Sequence, residues 1–428
     1  MESLTLPPTH ALAGEIRLPG SKSISNRALL LAALAEGQTH ISNLLRSDDT
    51  EYMLAALRQL GISIDESSSG SDEVLVAGVA GPLVTSDQTH NLQLGLAGTA
   101  LRPLAAALTL GRGHFTLDGS ARMRERPIAH LVDGLRQLGA TIGYLDAEGY
   151  PPIEIHGSGL TGGSARIPGN ISSQFLTSIL LAAPLARTPV DITIDGEQVS
   201  KPYLDITLGM MRQFGVSASH ENHQRFHVSP APYVSPGRFL VEGDASAASY
   251  FLAAGAIAGT GVTVHGVGQA TTQGDIRFLD VLRQMGANVN VDETSVTVKP
   301  AALNGVDLDL NHIPDAAMTV AILALFAKGR TTIRNIYNWR VKETDRLDAM
   351  ARELRKLGAS VEEGQDYLTI DPTTPFTTAT IDTYGDHRMA MCFSLAALGG
   401  VPVTINDPDC VAKTFPHYFA EFARLATD

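Results

Sequence analysis

The feature that most constrains the fold is a five-residue phrase that recurs five times. Its first copy reads Leu57-Arg-Gln-Leu-Gly61, and close variants follow. The copies end at Gly61, Gly139, Gly215, Gly286 and Gly358. Each is typical of the last turn of an amphipathic helix, with a cation near the C-terminus and glycine just beyond it. The period is about 70 to 78 residues, so a sixth copy is expected at the C-terminus, where Phe422-Ala-Arg-Leu425 resembles a shortened helix end.

A second series of short helices, apolar almost all round, interleaves with the first. These helices begin near Asn26, Ala100, Gln174, Ser246, Ala316 and Arg388. A helix that is apolar on every side must be buried on every side. We therefore predict an α/β fold of six repeats, each with one buried helix, one amphipathic surface helix and several strands. A chain of 428 residues accommodates two domains of three repeats each, with a hinge near Pro236-Gly237.

Polar and charged residues mark the starts of the buried helices. They are Gly20 to Ser23, Gly98-Thr99, Ser172 to Gln174, Gly243 to Ser246, Pro314-Asp315 and Gly385 to Arg388. Helix N-termini present free N–H groups and bind anions readily. N-capping alone would account for the serines, threonines and aspartates, and it remains an equal alternative at Gly243 to Ser246. It does not account for Lys22, Gln174 or Arg388, which favour a ligand site.

The distribution of charge points to a small polyanionic ligand. With 32 basic against 45 acidic residues and a net charge of −13, broad nucleic-acid binding is excluded. Eight cations nevertheless gather on loops or helix starts: Lys22, Arg27, Arg102, Arg126, Lys342, Arg346, Arg388 and Lys413. Asp315 and Glu343 occupy similar positions and could carry protons, with pKa values set by the neighbouring cations.

Two charged segments have competing interpretations. The three arginines of Arg122 to Arg126 are predicted to form an anion clamp, with a solvated face as the alternative. The segment from Asn338 is predicted to begin a helix that continues to Leu357, with Lys342 and Arg346 on one face and Glu343 beside Arg346. Its alternative is a salt-bridged surface. His387, before Arg388, could equally be a core histidine.

Several classes of protein and site are excluded. The segment Gly20 to Arg27 lacks the residue order of an ATP-binding phosphate loop. The absence of a membrane-length apolar run and of a basic leader predicts a cytoplasmic protein. The only cysteines, Cys392 and Cys410, are predicted to be buried thiols. Neither metal ligands nor an organic cofactor site are expected.

The most specific motifs together resemble the 5-enolpyruvylshikimate-3-phosphate (EPSP) synthase family over the whole chain. They are Leu18 to Ala28, Ala97 to Ala100, Arg102-Pro103, Ser172 to Leu176, Ser200 to Tyr203, His312 to Ala317, Arg340 to Leu347 and Asp386 to Met391. The resemblance implies a two-domain inside-out α/β barrel of six βαβαββ repeats. Residues 21–238 would form one domain, and residues 1–20 plus 239–428 the other. The buried helices would converge by their N-termini on the interdomain cleft.

The same resemblance implies an activity, transfer of the enolpyruvyl group of phosphoenolpyruvate to the 5-hydroxyl of shikimate 3-phosphate, with release of phosphate through a tetrahedral intermediate. The implied shikimate 3-phosphate ligands are Lys22, Ser23, Arg27, Ser172, Ser173, Gln174, Ser200, Tyr203, Asp315, Asn338 and Lys342. The implied phosphoenolpyruvate ligands are Lys22, Leu96, Gly98, Arg126, Gln174, Arg346, His387, Arg388 and Lys413. Lys22, Asp315 and Glu343 would carry protons. Asp315 would take the hydroxyl proton, and Glu343 or Lys22 would protonate carbon. A monomer without nucleic-acid or membrane partners is expected.

One residue departs from the family pattern. Leu96 stands where the family usually has asparagine, beside the implied phosphoenolpyruvate site. We hypothesise that Leu96 weakens binding of glyphosate, which occupies that subsite in the family. Two alternatives remain. The sister enzyme acting on UDP-N-acetylglucosamine uses a loop cysteine in its first domain, which this chain lacks before Cys392. A non-catalytic repeat scaffold would not concentrate cations at buried helix starts.

Overall fold

A computed structural model describes residues 2–66, 72–372 and 375–427. Gly20–Val241 forms one compact unit, called here the inserted unit, and the described chain on either side of it forms the other, called the flanking unit. The boundary follows Val241 rather than Arg238, because the strand Arg238–Leu240 pairs with Gln38–Ser42 of the inserted unit. Each unit has its own apolar core.

The described residues contain twelve α-helices, which alternate between the two predicted series. They are α1 (Lys22–Leu34), α2 (Asp48–Gln59), α3 (Gly98–Leu108), α4 (Ala129–Gln137), α5 (Ser173–Ala182), α6 (Lys201–Gln213), α7 (Ala245–Ile257), α8 (Phe278–Met285), α9 (Ala317–Phe326), α10 (Arg346–Lys356), α11 (His387–Ser394) and α12 (Tyr418–Leu425). The odd-numbered helices are the buried series. Every residue of α9 except Phe326 is buried, as expected for a helix without a polar face.

Short strands complete the repeats. They are β1 (Ser3–Leu6), β2 (Ala11–Arg17), β3 (Gln38–Ser42), β4 (Ser63–Asp65), β5 (Val74–Ala77), β6 (Thr85–Gln93), β7 (Arg112–Asp118), β8 (Thr141–Tyr144), β9 (Ile153–Ser158), β10 (Gly163–Pro168), β11 (Val190–Asp195), β12 (Ala218–Glu221), β13 (Arg225–Val228), β14 (Arg238–Leu240), β15 (Gly261–His265), β16 (Asn288–Val291), β17 (Ser295–Lys299), β18 (Asp307–Asp309), β19 (Thr331–Arg334), β20 (Ser360–Glu363), β21 (Leu368–Asp371), β22 (Ala379–Ile381), β23 (Val403–Asn406) and β24 (Ala426–Thr427).

The strands form one mixed sheet per repeat. In the second repeat, β6 pairs parallel with β7 across the α3 crossover, and the antiparallel strands β9 and β8 follow. The same order recurs as β10-β11-β13-β12 and β18-β19-β21-β20. The predicted two-unit α/β repeat architecture is therefore confirmed. Among the described residues, however, strand pairing gives six open sheets and no closed barrel.

Two strands pair outside the repeat that contains them in sequence. β2 precedes α1 but pairs with β15 of the flanking unit, whereas β14 precedes α7 but pairs with β3 of the inserted unit. In the last repeat, β1 from the N-terminus pairs antiparallel with β23. The N-terminal residues therefore complete sheets of the flanking unit.

The glycines of the recurring phrase adopt the conformation that ends a helix. All five have φ between 83° and 102°, a left-handed region that glycine enters without steric cost. The predicted sixth helix end is also present, because α12 ends at Leu425.

The cysteine prediction is half correct. Cys392 is buried in α11, but Cys410 is only partly buried, on the 3₁₀ turn Pro408–Lys413. Burial raises the pKa of both thiols to about 12.

Candidate functional site

In the inserted unit, the starts of the buried helices α1, α3 and α5 bring predicted site residues together. α3 packs against both α1 and α5, and Asn26 Nδ2 of α1 donates to Thr99 Oγ1 of α3 at 2.7 Å. Lys22, the first residue of α1, is 9% exposed, and its Nζ lies 3.5 Å from Asp49 Oδ2 at the start of α2. The buried Asp49 therefore helps to fix the position of this ammonium group.

Arg27 is a buried cation surrounded by neutral partners. Its guanidinium donates to Ser23 O at 2.8 Å, Thr207 Oγ1 at 3.0 Å and Thr177 Oγ1 at 3.4 Å. Burial lowers the pKa of Arg27 to about 10, an effect that Tyr203 partly opposes, so the group stays charged at neutral pH. Within the described part of the chain, no carboxylate forms an ion pair with it. Burial of an uncompensated charge is costly, which indicates that an anionic ligand supplies the counter-charge.

Gly98 lies at the centre of a second group of polar side chains. A Cβ added to Gly98 would lie 2.9 Å from Arg102 Nη1 and 3.2 Å from both Arg126 Nη1 and Gln174 Oε1. Arg102 donates to Gln174 Oε1 and to Pro127 O, and its guanidinium lies over the ring of Phe175. Because glycine has no side chain, the backbone N–H groups at the N-terminus of α3 stay accessible beside two cations. Such an arrangement is typical of an anion-binding site.

The predicted arginine clamp is wrong for two of its three members. Arg122 forms an ion pair with Glu125 at 2.7 Å, and Arg124 forms one with Asp118 at 2.5 Å. Glu125 belongs to the same segment and Asp118 is the last residue of β7, so both arginines are already paired with carboxylates of the protein. Arg126 alone is buried; its Nη1 lies 3.5 Å from Leu96 O, and its Nε has no hydrogen-bond partner among the described residues. The side chain of Leu96 packs against the apolar core.

The remaining predicted residues of this unit occupy the starts of α5 and α6. Ser172 caps α5 by accepting from Gln174 N at 3.3 Å, and Ser173 is buried in the first turn. Ser200 precedes α6 in the left-handed conformation, with φ of 53°. Tyr203 follows on the first turn of α6, partly buried.

In the flanking unit, Asp315 lies among three cations. Its Oδ1 accepts from Arg346 Nη1 at 2.8 Å and lies 3.7 Å from Lys342 Nζ, while its Oδ2 accepts from Arg388 Nη2 at 2.9 Å. Burial alone would raise the pKa of Asp315, but Arg388, Lys342 and Arg346 together hold it well below its ordinary value. Asp315 is therefore ionised at neutral pH.

Arg346 is an anchor for carboxylates. It is 1% exposed, and besides Asp315 it donates to Asp386 Oδ2 at 2.7 Å and to Glu343 Oε2 at 3.0 Å. Burial opposes the charge, yet Asp386, Glu343 and Asp315 together raise the pKa of Arg346 above its ordinary value. Asp386 also caps α11 through Arg388 N at 2.9 Å. This network fixes the relative positions of α10, α11 and the loop before α9.

The predicted continuous helix from Asn338 to Leu357 is wrong. A 3₁₀ turn covers Tyr337–Val341, and α10 begins only at Arg346, capped by Asp345. Lys342 and Arg346 therefore do not share an α-helical face. They meet at Asp315 instead, because the break between the two helical segments lets Lys342 approach its Oδ1.

Asn338, His387 and Lys413 are all buried. Neither Asn338 Nδ2 nor Asn338 Oδ1 has a hydrogen-bond partner in the described chain. Because buried amides are normally satisfied, this side chain is poised to bond a ligand. His387 is fully buried on α11, with Nδ1 3.4 Å from Asp386 Oδ1. Lys413 ends the 3₁₀ turn before Thr414.

Sequence reasoning missed three residues that contact polar or charged side chains at the starts of the buried helices. They are Asp49, Tyr250 and Asp275. Tyr250 on α7 accepts from Arg388 Nη1 at 3.0 Å, and Asp275 accepts from Ser246 Oγ. Asp49 was detectable, since Ser47 to Thr50 is a capping sequence and carboxylates concentrate in such first turns. Asp275 lies in the 3₁₀ turn Gly274–Arg277, where the sequence shows no repeat signal.

Comparison with known proteins identifies the family. A sequence model described as EPSP synthase (3-phosphoshikimate 1-carboxyvinyltransferase) matches residues 6–422. The chain belongs to the EPSP synthase family. A relative from Shewanella denitrificans named 3-phosphoshikimate 1-carboxyvinyltransferase is 58% identical over 429 residues, which is 100% of each chain. One of the same name from Sulfurovum is 60% identical over 420 residues, 98% of each chain.

Structural comparison agrees with the EPSP synthase assignment. The structure of EPSP synthase from Acinetobacter baumannii superposes with a TM-score of 0.82 at 28% identity, covering 99% of this chain and 98% of the other. These matches extend over the full repeat array. They favour neither the UDP-N-acetylglucosamine enzyme nor the non-catalytic scaffold.

Proposed function

We propose that this protein is a transferase that moves the enolpyruvyl group of phosphoenolpyruvate to the 5-hydroxyl of shikimate 3-phosphate and releases phosphate. The observation that carries the proposal is identity of 58% or more, over the whole length, to proteins named for this activity. The reaction belongs to the shikimate pathway, which leads to chorismate and the aromatic amino acids.

For shikimate 3-phosphate, the proposal assigns two kinds of contact. Arg27, a buried guanidinium beside hydroxyl groups, would receive an anionic oxygen, supported by Lys22 and by the N-terminal turns that carry Ser23, Ser172 and Ser173. The side-chain amide of Asn338, which has no hydrogen-bond partner among the described residues, would form hydrogen bonds with the ring hydroxyls of shikimate 3-phosphate. Gln174, Ser200, Tyr203, Asp315 and Lys342 complete the proposed set.

For phosphoenolpyruvate, the proposal assigns the cations around Gly98 and those around Asp315. One anionic group of phosphoenolpyruvate would be held by Gly98, Arg126 and Gln174. The other would be held by Arg388 and Lys413. Arg346 acts chiefly by positioning, because three carboxylates already accept its hydrogen bonds. His387 is fully buried and is proposed to support α11.

Proton transfer is assigned to three groups. Asp315 is ionised at neutral pH, which is the state needed to accept the proton of the attacking hydroxyl. Protonation of the methylene carbon is assigned to Glu343 or Lys22. The addition yields a tetrahedral intermediate, and loss of phosphate together with one proton of its methyl group gives the enolpyruvyl ether.

The deciding experiment measures phosphate release from phosphoenolpyruvate, with and without shikimate 3-phosphate. Release that requires the shikimate substrate, together with its enolpyruvyl ether as product, is the expected result. Release that is absent at every substrate concentration would overturn the proposal. UDP-N-acetylglucosamine serves as the control acceptor and should give no release.

The same proposal includes a monomer located in the cytoplasm. Among the described residues, none of the helices is long and apolar enough to span a membrane. Sedimentation velocity at micromolar concentration should give the mass of one chain, 45.4 kDa. A concentration-dependent heavier species would contradict the monomer.

A further inference from the structure

Three side chains of types that ligate metals form a cluster on the inserted unit, and none of them is among the residues assigned above. Asp205 lies on α6, His220 lies on β12, and His223 lies in the turn between β12 and β13. One ligand atom from each lies within 4.8 Å of the other two. Two secondary-structure elements, a helix and an edge hairpin, therefore bring potential ligands to one point.

The three side chains of the cluster already contact one another. His223 Nε2 lies 2.7 Å from Asp205 Oδ1, and the rings of His220 and His223 are 4.4 Å apart between centroids. The backbone N–H of His223 donates to His220 Nδ1 at 3.3 Å. A cation between the rings and the carboxylate would replace the proton shared by His223 and Asp205.

The donor set selects a class of metal. Two imidazoles and one carboxylate suit zinc and the later first-row divalent ions, whereas calcium and magnesium prefer oxygen ligands alone. His220 and Asp205 are exposed and His223 is partly buried, so water can fill the remaining coordination positions. We propose that Asp205, His220 and His223 form a surface site for one divalent transition-metal ion such as Zn²⁺.

The position of the site gives the ion a structural role. Asp205 lies one helical position beyond the first turn of α6, whereas both histidines belong to the β12–β13 hairpin. A shared ion would join the helix to the hairpin and favour the folded state, since the unfolded chain has no preformed site. The expectation of no metal ligands did not include this cluster, because Asp205 comes close to the His-x-x-His pair only through folding.

The test titrates the full-length, metal-free protein with Zn²⁺ by calorimetry and with Co²⁺ by visible absorption. We expect one equivalent bound, d–d bands from Co²⁺, and a higher melting temperature with Zn²⁺. His220→Gln and His223→Gln should each weaken binding at least about tenfold, since even groups that only support a ligand have effects of that size. Without metal, both variants should melt like the parent, which shows that they fold.

Two matched controls replace exposed histidines outside the cluster. His227→Gln removes a histidine that pairs with Asp191 at 2.8 Å on the neighbouring strand, and His156→Gln breaks the His114–His156 contact. Neither should change Zn²⁺ binding. The absence of saturable binding by the parent protein would overturn the proposal, as would binding that survives in His223→Gln or is lost in His156→Gln.

Discussion

Arg388 Nη2 donates to Asp315 Oδ2 at 2.9 Å, while Arg346 Nη1 binds the other carboxylate oxygen at 2.8 Å. Both oxygens are thus oriented by guanidinium groups from different helices, α11 and α10. The pair keeps Asp315 ionised and places it at a defined point before α9. Asp315 is charged and oriented, and its side chain is only 17% exposed, which makes it a candidate to accept the substrate proton.

Asp315→Asn should therefore lower kcat by about 10²- to 10⁴-fold, the range typical for loss of a general base. The amide keeps the size of the side chain but cannot accept the proton. Steady-state phosphate release measures the effect, and far-UV circular dichroism tests the fold. Asp309→Asn, an exposed change on β18, is the control. A kcat within twofold of the parent would remove Asp315 from proton transfer.

Arg27→Ala should raise KM for shikimate 3-phosphate about tenfold to 100-fold, since a hydrogen bond to a charged group contributes about 1.5–3 kcal/mol. The KM for phosphoenolpyruvate should change less, because Arg27 donates to Ser23, Thr177 and Thr207 and not to the group around Gly98. Arg112→Ala, at an exposed site, should change neither constant. Equal increases in both KM values would contradict the assignment.

Gly98→Ala should impair phosphoenolpyruvate binding more than folding. The added methyl group would lie 2.9 Å from Arg102 Nη1 and 3.2 Å from Arg126 Nη1, so both guanidinium groups must shift. Overpacking of this kind costs about 1–3 kcal/mol; where this cost falls on the ligand-holding guanidinium groups, it predicts a rise in KM of about fivefold to 150-fold. Gly209→Ala on α6 meets nothing within 4 Å and should leave KM unchanged while slightly raising stability. An unchanged KM in Gly98→Ala would show that the ligand lies elsewhere.

The sequence predicted those parts of the fold that depend on local periodicity. Both helix series and the five helix-ending glycines follow from apolar spacing and backbone conformation, which the chain specifies within a few residues. The exchange of β2 and β14 between sheets was not predictable in detail, because strands of three to seven residues carry little pattern of their own. The break before Arg346 was missed because Lys342 to Asp345 have no strong helix-breaking residue.

The site residues likewise differ in whether their partners could be read from the local sequence. Lys22, Gln174 and Arg388 were found because a charge or an amide at the start of an apolar helix needs a partner. Arg122 and Arg124 were wrongly assigned to a ligand: Arg122 pairs with its local neighbour Glu125, and Arg124 pairs with Asp118 at the end of β7. Only the second of these pairs is a tertiary contact. Tertiary contacts of this kind decide whether a cation binds protein or ligand, and sequence spacing does not record them.

Asp275 gives a testable dependence of stability on pH. Burial and the nearby Asp315 raise the pKa of Asp275 to about 7 from 3.8. The folded state therefore holds a proton that the unfolded state releases, and stability falls as pH rises between these two values. Asp275→Asn has no titrating group at this position. The difference between its free energy of unfolding and that of the parent should therefore increase, in favour of the variant, between pH 5 and pH 8. The increase should reach up to about 3 kcal/mol.

Urea unfolding of both proteins at several pH values measures this difference. Asp280→Asn on α8, an exposed site, is the control and should follow the parent. A constant difference between Asp275→Asn and the parent over the same pH range would show that Asp275 does not retain a proton in the folded state.

Leu96→Asn tests the one departure from the family pattern. Leu96 precedes α3, its side chain packs on the apolar core, and its carbonyl oxygen lies 3.5 Å from Arg126 Nη1. An amide here adds hydrogen-bonding groups beside the cations proposed to hold phosphoenolpyruvate. We expect the inhibition constant for glyphosate and the KM for phosphoenolpyruvate both to fall, by several-fold, in competition assays. Leu145→Asn, an exposed change, should alter neither. Unchanged glyphosate inhibition in Leu96→Asn would refute the hypothesis, because the leucine would then have no influence on the subsite.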